Sequence, residues 1–61
     1  MNVILDNQDN DNRIEVDLPI VPRIGDWIRI DEVQFAEGNS LVTVVNVILY
    51  EDEIIVIVTS I

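Results

Sequence analysis

The 61-residue chain carries twelve carboxylates against three arginines, a formal net charge of −9, and contains neither cysteine nor histidine. This composition excludes disulfides and ordinary zinc sites and argues against direct binding to nucleic acid or to an anionic membrane, since both attract lysine and arginine. A chain of this size buries only about 60% of its unfolded surface. Its stability must therefore come from apolar packing, for which 49% hydrophobic residues are available.

The composition also predicts a single soluble domain, residues 1–61, in the cytosol. Residues 1–5 lack the basic start of a signal peptide and run directly into an aspartate. The longest uncharged stretch, residues 38–50, is shorter than the ~20 residues that a membrane-spanning helix requires. The absence of cysteine is typical of a cytosolic protein.

The first predicted elements are the two strands of a hairpin. The sequence RIEVDL alternates strictly between charged and apolar side chains, which places Ile14, Val16 and Leu18 on one face of a strand. Residues 2–6 are its expected partner. The sequence NQDNDN, residues 7–12, is the expected turn, because Asn and Asp tolerate left-handed backbone angles and hydrogen-bond their own main chain.

The acidic loop that follows the first strand has a second interpretation. Asp6, Asp9 and Asp11 could bind a hard cation such as Ca²⁺, which takes carboxylate oxygens as ligands. The spacing does not follow the EF-hand loop, because the sixth position counted from Asp9 is Ile14, where that loop needs glycine. A solvated turn is therefore favoured, weak cation binding stays open, and no metal ligand or cofactor is assigned.

The stretch LPIVPRIGDWIRI, residues 18–30, predicts a bend followed by a strand. Its two prolines cannot donate to a β-ladder, and Gly25 with Asp26 indicates a turn that the Asp26 carboxylate caps. Alternation then resumes with Ile28 and Ile30 facing inward. The polar and aromatic side chains of the bend form a candidate recognition corner, although a structural turn is favoured: Arg23, Asp26 and Trp27.

Residues 33–35 are expected to prolong this strand, and the sequence EGNS, residues 37–40, indicates another turn. The chain then ends in a predicted hairpin around the acidic tip at residues 51–52. Three apolar pairs share its inner face in this register: Leu49 with Ile54, Val47 with Val56, and Val45 with Val58. Earlier in the same strand, the apolar residues that should face inward fall on the other alternate positions. We therefore expect a β-bulge near Val44 and Val45.

The other face of this hairpin is apolar where a solvated sheet is usually polar. It carries Ile48, Ile55 and Ile57, with Ile61 beyond them. Monomeric proteins seldom expose contiguous apolar patches above a few hundred Å². We therefore expect these four isoleucines to form the interface of a homo-oligomer, most simply a two-fold dimer.

Five short strands and one non-pairing corner predict an all-β fold whose core is the set of inward-facing residues named above. A small five-stranded barrel is favoured, and the alternative is a two-layer β-sandwich shared between two chains. Over residues 14–58 the chain resembles the SH3-like small barrels in the order of its elements: a strand, a loop that contains prolines, the strand sequence GDWIRI and a long hairpin. The segment LPIVPRIGDWI is also similar to segments of small uncharacterised bacterial and phage proteins. The resemblance implies a five-stranded barrel. The aromatic cluster with which peptide-binding SH3 domains hold proline-rich ligands is missing, since the only aromatic residues available are Trp27, Phe35 and Tyr50, so the resemblance does not imply peptide binding.

An enzyme is not expected, because the chain has no histidine, cysteine or lysine to serve as base or nucleophile. Two functions remain. The first is a protein–protein interaction or structural module that binds itself or another protein. The alternative is an acidic inhibitor of phage type, whose carboxylates imitate the phosphates of nucleic acid. The first is favoured, since acidic residues that keep an apolar β-protein in solution explain the same charge.

Overall fold

The computed structural model describes residues 1–31, 35–36 and 40–60, and within them the chain forms five β-strands and no helix. The strands are β1 (Asn2–Asn7), β2 (Arg13–Asp17), β3 (Trp27–Arg29), β4 (Leu41–Leu49) and β5 (Ile54–Ser60). They form one mixed sheet in the order β2-β1-β5-β4-β3, curled into a half-barrel. The predicted all-β class with five strands is confirmed. None of the described residues belongs to a helix that could cross a membrane.

The centre of the sheet is a parallel pair formed by β1 and β5, with Ile4 opposite Ile55 and Asn7 opposite Val58. The predicted first hairpin is confirmed, because β2 pairs antiparallel with β1 on its other side. The predicted last hairpin is also confirmed as the antiparallel pair of β4 and β5. Strand β3 pairs antiparallel with β4. The two edges of the sheet are therefore β2 and β3.

The concave face of the sheet holds the core, because alternate residues of each strand point to it. Its buried members are Val3, Leu5, Ile28, Ile30, Phe35, Ala36, Val42, Val44, Val56 and Val58. Half-buried side chains pack against this cluster: Ile14, Val16, Leu18, Val47 and Ile54. The inward orientation predicted for β2, for β3 and for most of the last hairpin is thus confirmed.

Leu49 was expected in the core, and this prediction is wrong. Its predicted pairing with Ile54 is correct, but the Leu49 side chain is 71% exposed. The reason is the length of the last hairpin. Strand β3 pairs only with residues 41–43 of β4, so the tip of the hairpin extends beyond the strands that line the concave face.

Strand β4 contains the β-bulge that the sequence predicts. Its register against β5 shifts between Val44 and Asn46, so Val45 has no partner in the ladder. Val44 pairs with Val58, and the predicted pairing of Val45 with Val58, like its place in the core, is wrong. The bulge lets Val44 and Val47 both face the core, although three positions separate them.

The segment after β3 differs from the expectation. Phe35 does not prolong a strand: it lies in a turn with Ala36, and it is the largest fully buried side chain of the described chain. Residues 33–34 of the expected extension and residues 37–39 of the expected turn lie outside the described residues.

Candidate functional site

The convex face of the sheet carries the predicted interface residues. In the ladder, Ile4 of β1 lies opposite Ile55 of β5, and Ile55 lies opposite Ile48 of β4. One row of isoleucines therefore crosses the three central strands, and Ile57 lies two positions further along β5. The isoleucine face is defined here by four residues: Ile4, Ile48, Ile55 and Ile57.

The structure brings together three of the four residues predicted for this face, and the fourth, Ile61, lies outside the described residues. Ile4 was missed. The alternation of β1 places the Ile4 side chain on the other face of the strand from Val3 and Leu5. Nothing local in the sequence predicts that β5 is the neighbouring strand of β1. The face is therefore wider than a single hairpin, because the parallel pair adds β1 to it.

The four isoleucines are not equally accessible. Ile55 is only 7% exposed, since it has an isoleucine on each side in the ladder. Ile4, Ile48 and Ile57 are half-buried. The surface that a partner could cover is therefore mainly that of these three residues.

Charged groups lie at the rim of the isoleucine face. Strands β4 and β5 contain no charged residue. On the β1–β2 side, Arg13 Nη2 lies 3.1 Å from Asp6 Oδ2, and Glu15 lies opposite Ile4 in the ladder. The rim on the β1–β2 side thus carries both signs of charge.

The candidate recognition corner is built as the sequence predicts. The Asp26 carboxylate accepts a hydrogen bond from the Arg23 N–H at 2.8 Å, and the Asp26 N–H donates to the Arg23 carbonyl at 3.0 Å. Gly25 adopts a φ of +95° and donates its N–H to the Val44 carbonyl at 2.8 Å. Trp27 is exposed beside an open groove of about 370 Å³. The corner is thus a capped turn fixed to β4.

Replacing Gly25 with alanine should destabilise the protein by ~1–2 kcal/mol, because an L-residue at positive φ brings its Cβ close to the following carbonyl oxygen. An added Cβ would meet no other atom within 4 Å, so the backbone angle alone accounts for the cost. Urea unfolding measures the change. Gly25→Asn is the control and should lose less, since asparagine adopts such angles more readily. An alanine variant as stable as the wild type would contradict the expected strain.

The loop after β1 binds the backbone of Phe35. The side-chain amides of three asparagines donate to the Phe35 carbonyl, from Asn7 and Asn10 at 3.0 Å and from Asn12 at 3.5 Å. These residues are called the asparagine cradle: Asn7, Asn10 and Asn12. The sequence offered one indication, since Asn7 is a polar residue at the inward position that follows Val3 and Leu5.

The aspartates of the same loop do not converge. Asp6 pairs with Arg13, whereas the Asp9 carboxylate accepts hydrogen bonds from the Thr59 hydroxyl at 2.8 Å and from the Ser60 N–H at 2.9 Å. In the part of the chain that the structure describes, no three acidic side chains lie where they could hold a metal ion. The cation-binding interpretation of this loop therefore has no ligand cluster to support it.

Asp9 links the loop to the end of β5, and this link should be pH-dependent. Hydrogen bonds from the Ser60 N–H and the Thr59 hydroxyl hold the pKa of Asp9 below its ordinary value of 3.8. A carboxyl whose pKa is lowered on folding contributes stability above its unfolded pKa and loses it as the pH falls through the folded value. Asp9→Asn should therefore lower the Tm at neutral pH, and the difference from the wild type should shrink below pH 3.8.

Thermal unfolding followed by circular dichroism over this range measures the effect of Asp9→Asn. Asp52→Asn is the matched control, because it removes one charge at the exposed hairpin tip. A difference between Asp9→Asn and the wild type that stays constant with pH would contradict a role for the Asp9 carboxylate.

Comparison of the chain with protein-family models, with curated proteins and with solved structures finds no match. Among the surfaces described above, the isoleucine face spans three neighbouring strands, and two of these strands carry no charged residue.

Proposed function

We propose that the protein is a small interaction module that self-associates through the isoleucine face. One observation carries this proposal: isoleucines from β1, β5 and β4 lie side by side where a solvated sheet is usually polar. Full burial of an isoleucine stabilises by about 1.5–3 kcal/mol, and each half-buried residue offers part of that. In a two-fold dimer the same face is used on both copies, so each residue of the face is covered on each copy. This is the simplest assembly.

A second copy is the partner that we propose for this face. The net charge of −9 on each copy opposes association, but the charges lie away from the centre of β4 and β5. Repulsion between such groups is screened beyond about 10 Å at 0.1 M salt. The dimer should therefore become more stable as the salt concentration rises.

The module that we propose is an open form of the SH3-like small barrel, of the kind that small bacterial or phage proteins would carry. Two features support this assignment: five strands curl around one core, and a proline-containing segment with a capped turn precedes β3. Its partner is a protein, first of all a second copy.

The double variant Ile48→Lys with Ile57→Lys tests this proposal. Both side chains are half-buried on the convex face, so lysine can extend into solvent there without disturbing the core. We expect the wild type to sediment as a dimer whose dissociation constant falls with added salt. The double variant should be a folded monomer at every concentration, because two charges on each copy would have to lose water in the contact.

Ile24→Lys is the matched control for this experiment. Ile24 is exposed in the corner and lies outside the isoleucine face, so its replacement should leave the dimer intact. Circular dichroism of each variant verifies the fold. A wild type that stays monomeric at low and high salt would refute self-association, and a monomeric Ile24→Lys variant would assign the contact to the corner.

A further inference from the structure

The two edges of the sheet face each other across an open groove of about 340 Å³. Strand β2 lines one side of the groove and β3 the other. Its floor consists of apolar side chains of β2 and β3, of the residue that directly follows each of these strands, and of β1: Leu5, Ile14, Val16, Leu18, Ile28 and Ile30. The groove lies on the concave side and is separate from the isoleucine face.

The backbone of β3 leaves hydrogen-bonding groups free toward this groove. Facing residues in an antiparallel pair alternate between hydrogen-bonded and non-bonded positions. The Asp26 carbonyl accepts a bond from β4 at 2.9 Å, and the Ile30 N–H donates to the Ser40 carbonyl at 2.7 Å. The even-numbered residues therefore bond to the β4 side, and Arg29, which lines the groove, directs its N–H and C=O groups to it.

The same alternation holds for β2. The Asn12 carbonyl accepts a hydrogen bond from the Asn7 N–H at 2.9 Å, and the Leu18 N–H donates a hydrogen bond to the Met1 carbonyl at 2.8 Å. Even-numbered residues again bond to the neighbouring strand. Glu15 and Asp17 therefore direct their backbone groups to the groove from the opposite side.

We infer that this groove binds an extended segment of another protein as a sixth strand between β2 and β3, and that this segment alternates apolar residues with lysine or arginine. Free edges on both sides supply backbone hydrogen bonds to such a segment. Successive side chains of a strand point to opposite faces, so its apolar residues would meet the apolar floor. Since β2 and β3 run in opposite directions, the added strand is parallel to one edge and antiparallel to the other.

The charge of the groove selects the partner. Its charged lining residues are three acids and one base: Glu15, Asp17, Asp31 and Arg29. Within the described chain, neither Glu15 nor Asp31 takes part in a salt bridge, so both are available to a basic side chain. A second copy would bring another net charge of −9 to a groove that is itself lined mostly by acids, unlike the isoleucine face, which makes it a poor occupant.

A synthetic seven-residue peptide with valine at alternate positions and lysine between them, blocked at both ends, is the probe for this inference. Amide hydrogen exchange by NMR should show that the N–H groups of Glu15, Asp17 and Arg29 become protected when the peptide is added. The amides of Ile28 and Ile30, which already bond to the β4 side, should change little. Binding should weaken as salt is added.

Two control peptides separate strand pairing from charge attraction. A peptide of the same composition with its lysines grouped at one end loses the alternation, and a valine–glutamate peptide reverses the charge. Both should leave the edge amides unprotected. Equal protection by the grouped peptide would overturn the inference, as would no protection by the alternating peptide up to its solubility limit.

Two variants at one position test the backbone role. Arg29→Pro removes the N–H that faces the groove, while leaving the bonds to β4 in place, and should weaken peptide binding about tenfold, as expected for one lost hydrogen bond. Arg29→Ala keeps this N–H and should bind the basic peptide at least as well as the wild type. If the proline variant does not fold, Glu15→Gln with Asp31→Asn provides the second test and should remove most of the salt dependence.

Peptide binding in the groove can be tested separately from dimerisation through the isoleucine face. The Ile48→Lys with Ile57→Lys variant should bind the peptide like the wild type, because the isoleucine face is on the other side of the sheet. Edge amides that become protected with rising protein concentration alone, without peptide, would assign the groove to a second copy and overturn the proposal of a basic partner.

Discussion

Replacement of Phe35 by alanine is expected to unfold most of the protein at room temperature. The Phe35 side chain is 2% exposed, and no fully buried side chain of the described residues is larger. Truncating a buried phenylalanine to alanine costs about 3–5 kcal/mol. At ~0.05–0.15 kcal/mol per residue, a 61-residue domain has a total stability of only about 3–9 kcal/mol. One cavity can therefore remove most of the stability.

Circular dichroism and urea unfolding of Phe35→Ala measure this loss. Phe35→Leu is the control and should retain a folded spectrum with a smaller loss, since leucine fills part of the ring's volume. Both variants keep the Phe35 backbone carbonyl that the asparagine cradle binds, so the experiment reports on the ring alone. An alanine variant that unfolds at the wild-type urea concentration would place the ring outside the core.

The second large effect is expected for Asn7→Asp. Asn7 is fully buried, at 0% exposure, and it is held from both sides. Its amide donates to the Phe35 carbonyl at 3.0 Å, and its Oδ1 accepts the Asp9 N–H at 3.0 Å. A carboxylate at this position cannot donate and would direct a buried charge at a carbonyl oxygen. We expect a loss on the order of 3 kcal/mol or more at neutral pH.

The loss in Asn7→Asp should depend on pH in a stated direction. Burial disfavours the charged carboxylate, so folding would raise the pKa of the new carboxyl group. The variant should therefore be most stable below the unfolded pKa of about 3.9, where the neutral acid can donate to Phe35, and less stable as the pH rises toward the folded value. Urea unfolding at acidic and neutral pH measures this difference.

Asn10→Asp is the matched control for Asn7→Asp. Asn10 donates to the same carbonyl at 3.0 Å but is only half-buried, so solvent can reach the new charge. The loss there should be clearly smaller. Equal losses at both positions would mean that burial of Asn7 is not the cause, and a stable Asn7→Asp variant at neutral pH would contradict the role of the cradle.

The elements that the sequence predicts correctly are those that local alternation determines. The inward positions Ile28, Ile30, Val56 and Val58 follow from a period of two, and the bulge beside Val45 follows from the change of phase. The first hairpin follows from its Asn- and Asp-rich turn. Each of these features depends on residues that are close in sequence, which is why the sequence suffices to predict them.

The features that were missed depend on contacts between distant segments. No local pattern says that β1 lies between β2 and β5, so the place of Ile4 beside Ile55 on the convex face could not be derived. The exposure of Leu49 depends on the short length of β3. The alternation of apolar and polar residues does not determine that length. The Phe35 side chain is buried in the core on the concave face of the sheet, among residues distant in sequence.

For the candidate site, the parity of the last hairpin predicted that Ile48, Ile55 and Ile57 share a face. The capped turn of Arg23 and Asp26 was also predicted, since both depend on neighbouring residues. Association through that face, the lack of nucleic-acid binding and the alternative of an acidic phage-type inhibitor stay predictions. They concern partners, and the shape of one chain does not determine them.

The parallel pairing of β1 with β5 also governs how the chain can fold. Ile4 and Ile55, which face each other at the centre of the sheet, are 51 positions apart. Contacts so distant in sequence slow folding, because the entropy of closing the intervening chain is lost before they form. We expect the two hairpins to form first and their association to limit the folding rate. During synthesis, β1 can pair only with β2 until β5 has left the ribosome, so its other edge stays unpaired until then.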